Sequence, residues 1–219
     1  MPEIKENLKP ITDLVSKLSK LEKEDTSKDE IVKILQQINY LFLNTELKIN
    51  GITIIPLETE IYYHNEKQKT IFEDKMIHKD KLQKNHFGKP YFHRYGVDIC
   101  LSEGDYYLSI LLRTVKIGNE IISGASNIRD TILGIPTLIS KLQEEQNIAI
   151  KQIINKKEEN IFRQPRIQDK KYKAGEKDEL NNIILGTEDN KYEYLNASKL
   201  QEGIKEEIKK KFKEGNYGK

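Results

Sequence analysis

A single cysteine, Cys100, stands among 219 residues. No disulfide can form within the chain, and a reducing compartment is expected. Nowhere does the sequence run through the roughly 20 consecutive apolar residues that a membrane helix needs. The first residues, MPEIKENLKPI, lack the apolar core of a secretory signal. A soluble, cytoplasmic protein is therefore expected, associated with the nucleoid if bacterial. Net charge is nearly absent as well, since 37 Lys and Arg against 35 Asp and Glu leave +2. That sum is too small to argue for a nucleic-acid partner, so the location of the positive charge carries the information. Hydrophobic residues make up 37% of the chain and charged residues 33%, so much of the sequence must be solvated surface, and part of the tail need not fold independently. No internal repeat is present. This length accommodates one domain with appended helices and a sizeable core.

What is present begins with helical periodicity. Ile11, Leu14, Val15, Leu18 and Leu21 recur at helix spacing. After a polar EDTSKD break, Ile31, Ile34, Leu35, Ile38, Leu41 and Phe42 do so again. Thr26 and Ser27, followed by Asp29 and Glu30, supply an N-cap and its reciprocal acid. This pair, residues 1–45, is expected to dock as a structural cap. A core over residues 46–170 follows. Asn50-Gly51 between apolar runs signals a hairpin, and LETEIYYH reads as a strand. Residues 64–94 read as an extended polar loop. VDICLS and YYLSILLRTVKI, joined by the turn EGD, read as an antiparallel pair. Gly124-Ala125-Ser126-Asn127 opens a helix that Pro136 bends or restarts. IAIKQII suits strand or helix equally, and RQPRIQ suits a short strand. Residues 171–219 hold a solvated loop and a basic helix with Leu200, Ile204, Ile208 and Phe212 on one stripe. Together these elements predict an α+β fold with a curved, mainly antiparallel sheet and flanking helices.

Chemistry concentrates in one stretch. All four histidines, His64, His78, His86 and His93, fall within thirty residues, beside Lys75, Lys79, Lys81, Lys84, Lys89 and Arg94. Aromatic rings are interleaved, from Tyr62 and Tyr63 to Tyr91, Phe92 and Tyr95. Cations meet phosphates and rings stack on unpaired bases, so a nucleic-acid surface is one reading. A polar loop anchored by its rings is the other. A hydrolytic metal site built from the histidines with Glu58, Glu60 or Asp98 is a third, although the spacings match no familiar ligand motif. Glu58 and Glu60, two apart on a strand, point the same way. A carboxylate there must be exposed or paired.

Several of these segments, in order, resemble one family. Glu58-Thr59-Glu60-Ile61-Tyr62 resembles the catalytic strand of the alkyladenine (methylpurine) DNA glycosylases. His78 follows after a variable loop, and Tyr95-Gly96-Val97-Asp98-Ile99-Cys100 resembles the family's Tyr-Gly strand. Leu111-Leu112-Arg113 matches a Leu-Leu-Arg strand, and Glu120–Ile128 resembles a turn-to-helix segment, with Ala125 where the family has proline. Pro165-Arg166-Ile167 resembles a later strand, so the likeness spans roughly residues 46–167.

The resemblance implies that fold, and a monofunctional glycosylase that flips a damaged purine out of duplex DNA. It implies no cofactor, no metal and no obligate protein partner. Glu60 would activate water, Tyr62 would stack on the flipped base, and His78 would help to read it. Phe92 falls at a second stacking position and Tyr95 at the wedge that fills the duplex. Arg113 would contact phosphate. Ser102 stands where the family has an asparagine that discriminates against guanine. Gly124 and Ser126 mark the turn that opens the helix, while His93 and Asp98 have no counterpart role. The remaining alternatives are a non-catalytic nucleic-acid-binding module on the same fold and the metal-dependent hydrolase.

Overall fold

The computed structural model describes residues 8–21, 27–74, 77–134, 148–152, 161–164 and 184–187. Pro10 lies in the first turn of α1 (Lys9–Lys20), where its missing N–H leaves no bond unmade. This helix buries Ile11, Val15 and Leu18 on one stripe. Ser27 is the N-cap of α2 (Lys28–Leu43). Its hydroxyl accepts the Glu30 N–H at 3.1 Å, and Asp29 and Glu30 fill the first turn.

Asn50 and Gly51 adopt φ of 52° and 81°. That left-handed pair closes a two-residue hairpin between β1 (Thr45–Ile49) and β2 (Ile52–His64), with Ile49 opposite Ile52. The two apolar runs on either side of Pro56 are thus one strand of 13 residues. Among the described residues seven further strands follow: β3 (Pro90–His93), β4 (Gly96–Cys100), β5 (Tyr107–Ile117), β6 (Glu120–Ser123), β7 (Ile148–Gln152), β8 (Ile161–Gln164) and β9 (Ile184–Thr187). The path through the sheet is β3-β4-β5-β2-β1-β7, with β6 on β5 and the β8–β9 pair on β2. Every pairing is antiparallel, and the sheet curls into a half-barrel flanked by helices, an α+β architecture.

Strand alternation gives this sheet two unlike faces. Thr59, Ile61 and Tyr63 of β2 turn toward the helical pair, together with Phe92, Val97, Leu108, Ile110 and Leu112. One hydrophobic cluster runs from Leu8 and Ile38 of the helical region into Ile61 and Leu112 of the sheet. Polar ties pin the layers: Thr59 donates to Asn39 at 2.9 Å, and Gln68 donates to the carbonyls of Leu18 and Leu21 at 3.2 and 3.0 Å. The opposite face carries Glu58, Glu60, Tyr62, Asp98 and Ser109, and it is the polar one.

Two β-bulges interrupt the β2–β5 ladder. Pro56 faces Val115 but Glu58 faces Thr114, and Thr59 then faces Leu112. Leu57 is therefore extra on β2 and Arg113 is extra on β5. Helix α3 (Ala125–Leu133) packs on β4 and β5, sends Ile128 and Ile132 into the hydrophobic cluster, and ends at Gly134 in the left-handed region. Its first residue presses on Gly96, where a Cβ would lie 2.7 Å from the Ala125 Cβ and 2.9 Å from Leu111 Cδ1.

The polar stretch over residues 64–94 is more structured than expected. It holds 3-10 turns at Glu66–Gln68 and Lys81–Gln83 before β3. The ambiguous IAIKQII segment forms β7 through Gln152, and RQPRIQ contributes Arg163 and Gln164 to β8. Pro136, Pro165-Arg166-Ile167 and the C-terminal basic helix lie outside the described residues. Among the described residues no helix is long and apolar enough to cross a membrane.

Candidate functional site

Glu58 and Glu60 are each 1% exposed, so neither is a surface carboxylate. Each requires a partner at that burial. Thr114 donates its hydroxyl to Glu58 at 2.8 Å, and Arg113 Nη1 donates to Glu60 Oε2 at 3.1 Å. Strict alternation would send neighbours 113 and 114 to opposite faces. The bulge lets both reach the carboxylates. An ion pair with a guanidinium favours the ionised carboxylate, while burial opposes it. Tyr62 follows on the same face, half-buried and opposite Ser109.

Register extends this face across the sheet: Glu60 lies opposite Leu111, Leu111 opposite Asp98, and Asp98 opposite Tyr91. Asp98 is 2% exposed and fully engaged. One oxygen accepts from Ser109 Oγ at 2.9 Å and from Gln83 Nε2 at 3.1 Å, and the other faces His93 Nε2 at 3.2 Å. The His93 ring stacks on Tyr91 with centroids 5.4 Å apart and 15° between planes. Burial, with the negative charges of Asp80 and Asp98, pushes the Tyr91 phenol up, so it remains a neutral donor.

At the β3–β4 turn, Tyr95 is 60% exposed and nearly parallel to His78, with ring centroids 5.8 Å apart. His78 also lies 4.8 Å from the His93 ring. Arg94 reaches over the Tyr95 ring. Arg129 of α3 donates to the carbonyls of His93 and Arg94, tying the turn to the helix. Gly124, the α3 N-cap with φ of 93°, donates its N–H to the Arg113 carbonyl at 2.9 Å, and Ser126 is exposed in the first helical turn.

Two residues expected at the site lie elsewhere. Phe92 is on the core face, 1% exposed within the hydrophobic cluster, so Tyr91 is the ring its strand presents to the polar face. One step along a strand reverses the face. Ser102 is fully buried in the β4–β5 turn, with its hydroxyl within bonding distance of the carbonyls of Tyr106 (2.5 Å) and Gly104 (3.0 Å). It closes a turn there. Conversely, Tyr91, Gln83 and Ser109 join the site without having been singled out. The Tyr91-x-His93 spacing is the one signal that could have raised the first.

The histidines do not form one cluster. His64 Nε2 meets Glu66 at 2.7 Å and His86 bonds the Lys84 carbonyl, whereas only His78 and His93 adjoin. Among the described residues no three His, Cys, Asp or Glu side chains are grouped to hold a metal ion. Lys84 is engaged with Asp105 and lies 4.6 Å above the Tyr107 ring. Lys79, Lys81, Lys89 and Arg94 are exposed, and Lys75 is outside the described residues.

No family model, no curated protein and no solved structure matches the chain.

Proposed function

We propose that the chain is a monofunctional DNA glycosylase, a divergent relative of the alkyladenine DNA glycosylases it resembles, with a sheet of the same curved antiparallel kind. Its substrate is duplex DNA carrying an alkylated or deaminated purine. The observation that carries this reading is Glu60, buried and held by Arg113 on a sheet face that ends at the exposed rings of His78 and Tyr95.

A base within a duplex is out of reach, so it must be extruded at a cost of a few kcal/mol, less for a damaged pair. Tyr95, at the tip of a turn, is suited to enter the gap and offset part of that loss. Lys79, Lys81, Lys89 and Arg94 neutralise nearby phosphates. Tyr62 and Tyr91 offer ring faces to the flipped purine, and a cationic alkylated base gains most from them. Glu60 takes a proton from water as the water oxygen bonds to the sugar carbon and the N-glycosidic bond breaks. Arg113 orients that carboxylate, in place of the phosphate contact first expected of it. No lysine occupies a matched catalytic position, so water is the nucleophile.

One observation favours a second reading. With Phe92 in the core and Ser102 in a turn, two groups expected to hold the base are absent from the face. That suits a protein which binds unpaired nucleotides without cutting. Base release from duplex DNA carrying 1,N6-ethenoadenine, hypoxanthine or 3-methyladenine, with EDTA present, separates the readings. Release that falls at least about 100-fold in Glu60→Gln is expected for the glycosylase. DNA binding without release would favour the binding module, and chelator-sensitive release would favour the metal-dependent hydrolase.

A further inference from the structure

We propose that His93 is a positioning residue for Tyr95: held in one tautomer by Asp98, it braces the turn that presents the tyrosine, and protonation releases that brace. The use of Tyr95 on DNA rests on the base-excision reading, whereas the brace itself does not. The turn needs support. His93 pairs with Gly96, so Arg94 and Tyr95 alone join β3 to β4. Two-residue hairpins favour a positive φ, which matches the twist of the strands they join. Asn50-Gly51 and Gly118 supply it in the β1–β2 and β5–β6 hairpins. Neither Arg94 nor Tyr95 does. This turn therefore lacks the geometry that closes a hairpin unaided, yet it carries a ring that is 60% exposed.

Side chains hold it from two sides. Arg129 of α3 donates to the carbonyls of His93 and Arg94. On the strand side the Tyr95 N–H donates to His93 Nδ1 at 3.4 Å. That contact fixes where the imidazole carries its proton. A backbone N–H can only donate, so Nδ1 must be bare, and the proton of the neutral ring lies on Nε2. Nε2 faces Asp98 at 3.2 Å, a carboxylate whose other oxygen is held by Ser109 at 2.9 Å and Gln83 at 3.1 Å. Only the Nε2–H tautomer satisfies both neighbours. The imidazolium keeps the Asp98 contact but sets an Nδ1–H against the Tyr95 N–H. The other charged or titratable groups around the ring are Tyr91 at 5.4 Å, His78 at 4.8 Å, Tyr95 at 6.2 Å, Arg94 over Tyr95, Arg129 on α3 and Asp80 beside Tyr91.

The direction with pH follows from the tautomer. Neutral His93 holds the Tyr95 N–H; acid takes the Nδ1 lone pair away, and the turn is left to Arg129. Tyr95 is then presented less firmly, so a duplex that depends on its insertion is bound less well as pH falls. Charge alone argues the reverse, because imidazolium groups at His78 and His93 attract phosphate. The sign of the pH dependence thus separates bracing from plain electrostatics. In His93→Asn the side-chain oxygen accepts the same N–H, as in an Asx turn, and does not titrate.

The test starts with NMR of the isotope-labelled full chain, without variants or DNA. Neutral His93 is expected to carry its proton on Nε2, read from the shifts of its ring nitrogens. Hydrogen-exchange protection of the Tyr95 amide is expected to fall about 5-fold on acidification, with the same midpoint as the His93 ring. A proton on Nδ1, or a Tyr95 amide indifferent to the titration of His93, would overturn the brace. His93→Asn should keep that protection within about 2-fold and lose its pH dependence, while His93→Leu should lack it at every pH. Protection retained in His93→Leu would overturn the brace as well. On duplex carrying hypoxanthine, wild-type affinity should weaken about 5-fold below the midpoint, and His93→Asn should show no such weakening. Tighter wild-type binding in acid would overturn the coupling of the brace to DNA. A wild type that binds no DNA at any pH would overturn the base-excision reading and leave the brace decided by the amide titration.

Discussion

Burial decides what Cys100 can do. Its side chain is 1% exposed, and burial, reinforced by Asp98 and Asp80, pushes the thiol well above its ordinary range. The thiolate is the reactive species. Alkylation by iodoacetamide at pH 8 is therefore expected to wait for global unfolding, with labelling appearing at the same denaturant concentration as loss of circular dichroism. Labelling of the native protein at a free-thiol rate would contradict that environment. A second charge effect lies at the surface. Lys84 donates to Asp105 at 2.5 Å and holds its carboxyl below the ordinary 3.8. A depressed carboxylate contributes stability above its unfolded value and loses it as pH falls through the folded one. Asp105→Asn should thus lower the unfolding midpoint slightly at pH 7, and by progressively less as the pH is taken below 3.8. The effect is small because the pair is exposed. Residues were legible in the sequence one by one, their partnerships less so. Glu60 and Arg113 were both singled out, but the Thr114 bond to Glu58 beside them depends on a bulge that no local pattern announces. Phe92 against Tyr91 turned on a phase of one residue, which composition does not encode.

Elements were read best where local chemistry sets them. Ser27 caps α2, and Asn50-Gly51 closes its hairpin, because a hydroxyl at an N-cap and two left-handed residues in a row need no tertiary support. Strands β3, β6 and β9, four residues each, were missed. Such short strands hold only through the ladders that neighbours provide, so their signal lies in the partner strand. The contact between α3 and the sheet makes a test at this scale. Gly96→Ala places a methyl group against Ala125 and Leu111 and is expected to cost about 1–3 kcal/mol. The double variant Gly96→Ala with Ala125→Gly should recover part of that loss in urea denaturation. Failure to recover any would mean that α3 does not bear on the sheet there.

The helical pair and the sheet form one packing unit, whatever the composition break near residue 45 suggests. Leu8, Ile11 and Ile38 share a single cluster with Ile61, Ile110 and Leu112, and Thr59–Asn39 bonds the layers. Apolar area of that kind, left exposed, removes most of the driving force for folding. Residues 46–219 alone are therefore expected to give no cooperative urea transition, while the full chain gives one that includes the helices. A cooperative transition in the truncated chain would show two independent units. The general architecture was within reach of periodicity because amphipathic helices and alternating strands state which face they bury. How the strands order themselves was not, since β7 and β9 join from far along the chain.

The paired bulges act on the β2–β5 ladder as two frameshifts act on a reading frame. Leu57 throws the two strands out of step by one residue, and Arg113 restores the count before Thr59 meets Leu112. Removing either residue alone would leave every later pair mismatched or its side chains inverted. Removing both would return a regular ladder with the core rows still in phase. What the double deletion could not return is the arginine beside Glu60. The frame can thus be spared at the cost of the message, which makes this the place where a folded but silent protein could be made by subtraction.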